Sequence, residues 1–275
     1  MKNLILICLL LVINSCATRT FDEKVENAES CIFYEGKFYF ANYNDDGAFI
    51  NTYDSKSWTR YHVDGLTKPF GIAAYEGFLL INDVTKIHIY SIERKKIIKT
   101  LKVPGSVQLN DIAIDDKGNF FSADSKAKKI FSGHIKSPIV SEYINVDFIP
   151  NGLLIDEDTD NPNGNTDKLL ITSWGQKMDS SWNTKERGRL WSYSFGDNKL
   201  KLFHPKRVGY LDGIAKLGPN KYLVSAKREG ELYVFEKDKE PTLHSRAEGA
   251  TDIGVSSSMI CIPSFSDKKV EIRDL

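Results

Sequence analysis

Short apolar runs, rich in Ile, Val, Phe and Tyr and set apart by Gly, Asn, Asp and Lys, recur along most of this chain. One unit repeats: a polar or otherwise special residue, an apolar strand, a turn, then a second strand. It opens at Glu29, Phe70, Asn110, Asn151, Asp212 and Thr251, with spacings of 41, 40, 41, 61 and 39 residues. The long interval carries an insertion between Asp156 and Gly188. Each unit has room for four strands. In the second they are 71–75, 78–82, 86–92 and 95–102, with Glu76-Gly77 as the first turn. In the third, residues 115–119 supply the turn chemistry. No comparable stretch has an apolar period of 3.6, so almost no helix is expected. Four strands in every 40 or so residues predict an all-β fold, a six-bladed β-propeller.

The ends fit that reading. The sixth unit has strands at 252–256, 258–263 and 269–273, and is then one strand short. The segment 20–25 supplies the missing strand and closes the ring, leaving no open edge between first and last blades. A closed ring is one domain, here 29–275, preceded by a segment 16–28 that contains the closing strand.

The first residues differ in character. Met1, Lys2 and Asn3 make a short, positively charged start, and Leu4 to Ile13 is continuously apolar. That run is too short to cross a bilayer and suits a signal peptide, 1–15. It ends in Ile13, Asn14, Ser15 and Cys16, which resembles the bacterial lipobox. Lipidation of Cys16 is therefore expected, with export and a lipid anchor on a membrane of the bacterial envelope; several acyl chains would hold firmly where one would not. Two cysteines then remain in the fold, Cys31 and Cys261. Export permits a disulfide, but neither cysteine has a His partner or a Cys-x-x-Cys spacing, and they read as two buried free thiols. Lys+Arg and Asp+Glu are each 37. That balance gives no reason to expect a nucleic-acid partner.

In a propeller the innermost strands line a central channel, so the six opening residues ring one of its ends. Four of them, Glu29, Asn110, Asn151 and Asp212, offer a carboxylate or amide oxygen to one point. Two acids brought together need a proton or a cation between them. A hard divalent ion suits this donor set: calcium first, with zinc, manganese or magnesium also compatible.

The chain resembles the regucalcin–gluconolactonase (senescence-marker-protein) family. The resemblance rests on Glu29, on Pro150-Asn151-Gly152, on Asp212-Gly213, and on Asn110-Asp111 with the turn that follows it, in order and spacing from Glu29 to the C-terminus. It implies a six-bladed propeller with one metal held by Glu29, Asn151 and Asp212. It also implies metal-dependent hydrolysis of a lactone or related ester, with Asp212 as general base. Asn110 would orient a small-molecule substrate. Two positions depart from the family pattern. Ser30-Cys31 stands where a Pro and an aromatic are usual, and Gln108 takes the substrate-binding place of an Arg. The metal set is retained and the sugar-gripping set is not. The repeats are similar to NHL-type propellers as well, whose implication is different: an envelope-anchored propeller that binds a ligand or protein without turnover.

Other features carry less. The acidic run from Asp156 to Asp167 has a Pro at a ligand position and no closing Glu, so it reads as a solvated turn rather than a helix–loop–helix calcium site. The rest of the insertion, around 175–188 with Trp174 and Trp182, either covers the channel mouth or is a surface excursion. His62, His88, His134, His204 and His244 sit at no ring position. Neither a nucleophile elbow nor a phosphate-binding Gly loop is present.

Overall fold

The computed structural model describes residues 18–21, 25–157 and 167–275. Cys16 and the apolar run before it lie outside the described residues, as does 158–166 of the acidic run. Among the described residues every regular element is a strand, and the strands form six antiparallel sheets. These are the six blades of a β-propeller. The inner strands are Ser30–Tyr34, Pro69–Tyr75, Leu109–Ile114, Ile149–Asp156, Leu211–Gly218 and the short Gly254–Val255. In blades 1 to 5 the next three strands in sequence follow outward. Blade 4 carries one more, Thr184–Arg187, paired to the end of Lys168–Met178. In blade 6 the outermost strand is Arg19–Phe21, which pairs with Lys269–Asp274. The predicted closure by the N-terminal segment is therefore found, slightly earlier in sequence than expected.

Tight hairpins set this meander. Glu35 and Gly36 both have positive φ, 46° and 79°, and so do Glu76 and Gly77, 44° and 79°. Positive φ at both central residues of a two-residue loop matches the twist of the flanking strands. Blades pack face to face, so their middle strands are buried on both sides. Phe78–Asp83 shows this, with every residue after Phe78 buried. The core is divided among the blade interfaces. Leu80, Ile87 and Leu101 of blade 2, for example, meet Leu109, Phe120 and Phe131 of blade 3.

The seam between blades 1 and 6 has extra fastenings. Phe21 stacks on Trp58 with ring centres 4.6 Å apart, Asp252 N–H donates to Glu29 O at 3.0 Å, and Cys31 N–H donates to Asp252 O at 3.3 Å. Cys31 and Cys261 form a disulfide across it, with Cα atoms 6.3 Å apart. This overturns the reading of two free thiols. Both cysteines are fully buried, as that reading required. However, the repeat places one on the first strand of blade 1 and the other on the second strand of blade 6. Ring closure brings these two strands side by side, a proximity that a spacing of 230 residues hides.

Candidate functional site: the channel mouth

The ring residues reach the channel because the inner strands are bulged where they stand. In blade 2, Pro69 pairs with Asp83 and Ile72 with Ile81, so one extra residue sits on the inner strand. The same slip lies between Leu109 and Ile112, between Pro150 and Leu153, and between Leu211 and Ile214. A bulge takes residues off the ladder and re-aims their side chains. Here it frees Phe70, Asn110, Asn151 and Asp212 to point at the axis. Backbone groups released by the bulges find side chains of the second strands. Gly152 N–H donates to Thr172 Oγ1 at 2.7 Å, Gly213 N–H to Ser225 Oγ at 2.8 Å, and Asn82 Nδ2 donates to Asn110 O and Asp111 O at 3.0 Å each. The glycine after Asn151 and after Asp212 is also explained. A Cβ on Gly152 would stand 2.3 Å from Asp212 O, and one on Gly213 2.3 Å from the Cα of Asp252. Neighbouring inner strands come too close there for any side chain.

Five of the six ring residues, Glu29, Phe70, Asn110, Asn151 and Asp212, line one cavity of about 330 Å³, together with Gln108. Thr251 does not take part. Its Oγ1 turns away to donate to Pro263 O at 3.2 Å and Ala28 O at 3.4 Å, and the residue is fully buried. A second set of residues completes the wall: Tyr43, Ser125, Trp174, Lys227 and Phe265. They come one per blade from blades 1, 3, 4, 5 and 6, at or just beyond the end of the second strand except for Trp174, which lies within the long strand Lys168–Met178. Sequence reasoning named Trp174 with the insertion but missed Tyr43, Ser125, Lys227 and Phe265. The signal was present, because these four stand 14 or 15 residues after the opening residue of their repeats.

Lys227 is the most consequential of them. From blade 5 its side chain passes over Phe265 of blade 6, with Nζ 5.0 Å from the ring centre. The ammonium ends 3.2 Å from Glu29 Oε2 and 3.5 Å from Asp212 Oδ2. Burial pushes the Glu29 carboxyl up to about 6, against the pull of Lys227 and with the help of Asp212. Burial raises Asp212 too, opposed by Lys227 and by a hydrogen bond from Asn151. For Lys227 burial acts downward, but the two carboxylates outweigh it and hold the ammonium above its ordinary value.

These contacts decide how well the residues suit a divalent metal. Asn151 Oδ1 is buried with no hydrogen-bond partner among the described residues, which is what a metal ligand or a ligand-facing acceptor looks like. Yet the space between Glu29 and Asp212 holds the Lys227 ammonium, and among the described residues no three His, Cys, Asp or Glu side chains are grouped to hold a metal. With Lys227 in place the donor set does not fit a divalent ion.

The insertion covers the mouth. Its hairpin, from Lys168–Met178 back to Thr184–Arg187, folds so that Trp182 joins the cavity wall and Trp174 Nε1 donates to Trp182 O at 2.9 Å. Arg228, next to Lys227, holds the hairpin's turn. It donates to Asn183 Oδ1 at 2.6 Å and Ser181 O at 3.1 Å, while its guanidinium lies over the Tyr210 and Trp174 rings, 4.7 and 5.3 Å from their centres. Of the acidic run, Asp156 is not a solvated turn residue. It is buried and paired with Lys216 at 2.6 Å and Lys168 at 3.4 Å.

Below the ring residues lie two further buried acids, Asp111 of blade 3 and Asp252 of blade 6. These blades face each other across the ring, and each acid affects the other's protonation. Burial is the main reason that Asp111 is raised to about 7 and Asp252 well above its ordinary value. Both belong to the wall of a second cavity, about 400 Å³, at the other end of the channel, where Ile72, Ala73, Ile112, Leu153, Ile214 and Ile253 also contribute. Lys216 lies in the same wall, and no Asn or Gln side chain lines this cavity.

Comparison with solved structures supports the architecture. A chain of a nidogen/laminin complex is similar over 94% of this chain and 90% of its own length, with a TM-score of 0.68 and 10% identity. A chain of hydrazine synthase from Kuenenia stuttgartiensis is similar over 92% and 96%, with a TM-score of 0.61 and 11% identity. At such identities the likeness is one of fold alone. Neither the scan against protein-family models nor the search of curated proteins finds a match. The resemblance to regucalcin therefore stands on the quoted motifs.

Proposed function

We propose that this chain is an envelope-anchored propeller that binds a small molecule at one mouth of its channel. The observation that carries the reading is the 330 Å³ cavity itself. Gln108, Asn110, Asn151 and the Glu29–Lys227–Asp212 group converge there between Tyr43, Phe70, Trp174, Trp182 and Phe265. A concave site with apolar walls and a few converging polar groups is the usual form of a ligand pocket. The unpartnered Asn151 Oδ1 asks for a donor from the ligand. Anchoring is supported by the apolar start and Cys16, and the Cys31–Cys261 disulfide is in keeping with an oxidising compartment outside the cytoplasm.

The lactone or ester hydrolase implied by the regucalcin resemblance is the second reading. Favouring it is the convergence of Glu29, Asn151 and Asp212, the family's metal-ligand positions, on one cavity. Lys227 stands against it. Thermal-shift measurements on the full-length chain with lactones, polyols, aromatic acids and amides test the first reading. One class should raise the melting temperature of the wild type and not of Asn151→Leu. Turnover of a lactone that depends on an added divalent ion and is lost in Asp212→Asn would favour the second. A folded chain unmoved by every class and inert on every lactone overturns both.

A further inference from the structure

The ion pair at the channel mouth bears on how the site balances its charge. Glu29 and Asp212 are two carboxylates from different blades, with side chains 13% and 6% exposed. Left alone they would repel, and burial would penalise both. The repeat offered a divalent ion as the remedy. The fold offers another. An ammonium 3.2 and 3.5 Å from the two oxygens lies where a bound ion would have to sit, since calcium needs its oxygens at about 2.3–2.6 Å. The two cations exclude each other. To admit a metal, Lys227 would have to leave both carboxylates and withdraw from the Phe265 ring, giving up two ion pairs.

We propose that Lys227 is the resident cation of the channel mouth, placed where Glu29, Asn151 and Asp212 would otherwise hold a divalent metal, so that the wild-type pocket is metal-independent. The ammonium has three N–H groups, and Glu29 and Asp212 take two. Lys227 and the unpartnered Asn151 Oδ1 line the same cavity, so a ligand there would find a donor and an acceptor together. Removing the ammonium leaves an acid pair and an amide oxygen in need of a cation. The inference is independent of the ligand-binding reading, because it is judged by metal uptake and that reading by ligand binding.

The test is calorimetric titration of the full-length chain with calcium, manganese and zinc, with metal content measured after dialysis. Wild type and Lys227→Arg should take up no ion at the site. Lys227→Met should bind about one divalent ion per chain, at least about 100-fold more tightly than wild type, because two buried carboxylates then lack a counter-ion. Lys227→Met/Asp212→Asn should lose that uptake. Should Lys227→Met not fold alone, one of the three ions should restore its folding. Metal uptake by wild type that disappears in Glu29→Gln overturns the proposal. So does a Lys227→Met chain that folds yet takes up none of the three ions, or that fails to fold with any of them.

Discussion

Lys227 Nζ lies 3.2 Å from Glu29 Oε2 although the two residues belong to blades 5 and 1, with blade 6 between them. The contact therefore fastens the ring across its seam as well as setting the charge of the pocket. Breaking a buried ion pair from one side strands the other charge and costs about 3–5 kcal/mol. Lys227→Met without added metal should lose stability of that order in denaturant unfolding near neutral pH. The loss should shrink at about pH 5, where a Glu29 carboxyl raised to about 6 is protonated. An equal loss at both values would mean that packing, not charge, accounts for the effect.

The Cys31–Cys261 link closes a loop of 230 residues at the same seam. Disulfides across long loops contribute roughly 2–5 kcal/mol. Cys31→Ala/Cys261→Ala should unfold at a lower denaturant midpoint by that amount. Reductant should barely affect the native protein, because both sulfurs are buried, and thiol labelling should appear only with unfolding.

Carboxyls raised by burial make stability fall as pH rises. Glu29 goes from an ordinary 4.5 to about 6 and Asp111 from 3.8 to about 7. A folded value above the unfolded one means that the native state holds more protons between the two. The stabilisation is complete below the unfolded values and is lost as pH climbs through 6 to 7. Glu29 alone contributes on the order of 2 kcal/mol across this window. The melting temperature should drop from about pH 5 to about pH 8, and Asp111→Asn should flatten the slope. Stability that rises across that range would contradict the raised values.

Arg228 is the clasp of the Trp182 hairpin. Arg228→Ala should speed amide exchange of residues 179–187 by about tenfold or more, the effect of losing a pair of charge-assisted hydrogen bonds at an exposed turn. Exchange in the inner strands should not change. A hairpin equally protected in the variant would show that the Trp174–Trp182 contact suffices.

Glycine positions divide sharply. Gly152→Ala or Gly213→Ala should cost about 1–3 kcal/mol or more, because the new Cβ meets backbone that cannot retreat. Gly218→Ala, at a position with nothing within 4 Å, should be close to neutral. Paired melting curves distinguish the two cases.

The sequence carried the architecture because the repeat is regular: turns, strand openings and blade number all follow from one spacing. Five of six ring residues reached one cavity for the same reason. Thr251 failed because its hydroxyl found backbone acceptors nearby, a preference that the repeat position does not encode. Lys227 was overlooked because charge balance at the ring depends on a long side chain arriving from a neighbouring blade. Reading the end of each second strand alongside its start would have put Lys227 beside the acids. The disulfide was hidden for a related reason, since only closure of the ring makes the first and last blades neighbours. Asp111 and Asp252, three blades apart, become partners only when the ring is drawn as a circle.

That last pairing sets the chemistry of the second channel mouth apart from that of the first. Asp111 and Asp252 line the cavity at one end of the channel, while Glu29 and Asp212 line the cavity at the other. A solute at one end meets two carboxyls balanced by an ammonium, and one at the other end meets two whose burial favours holding a proton.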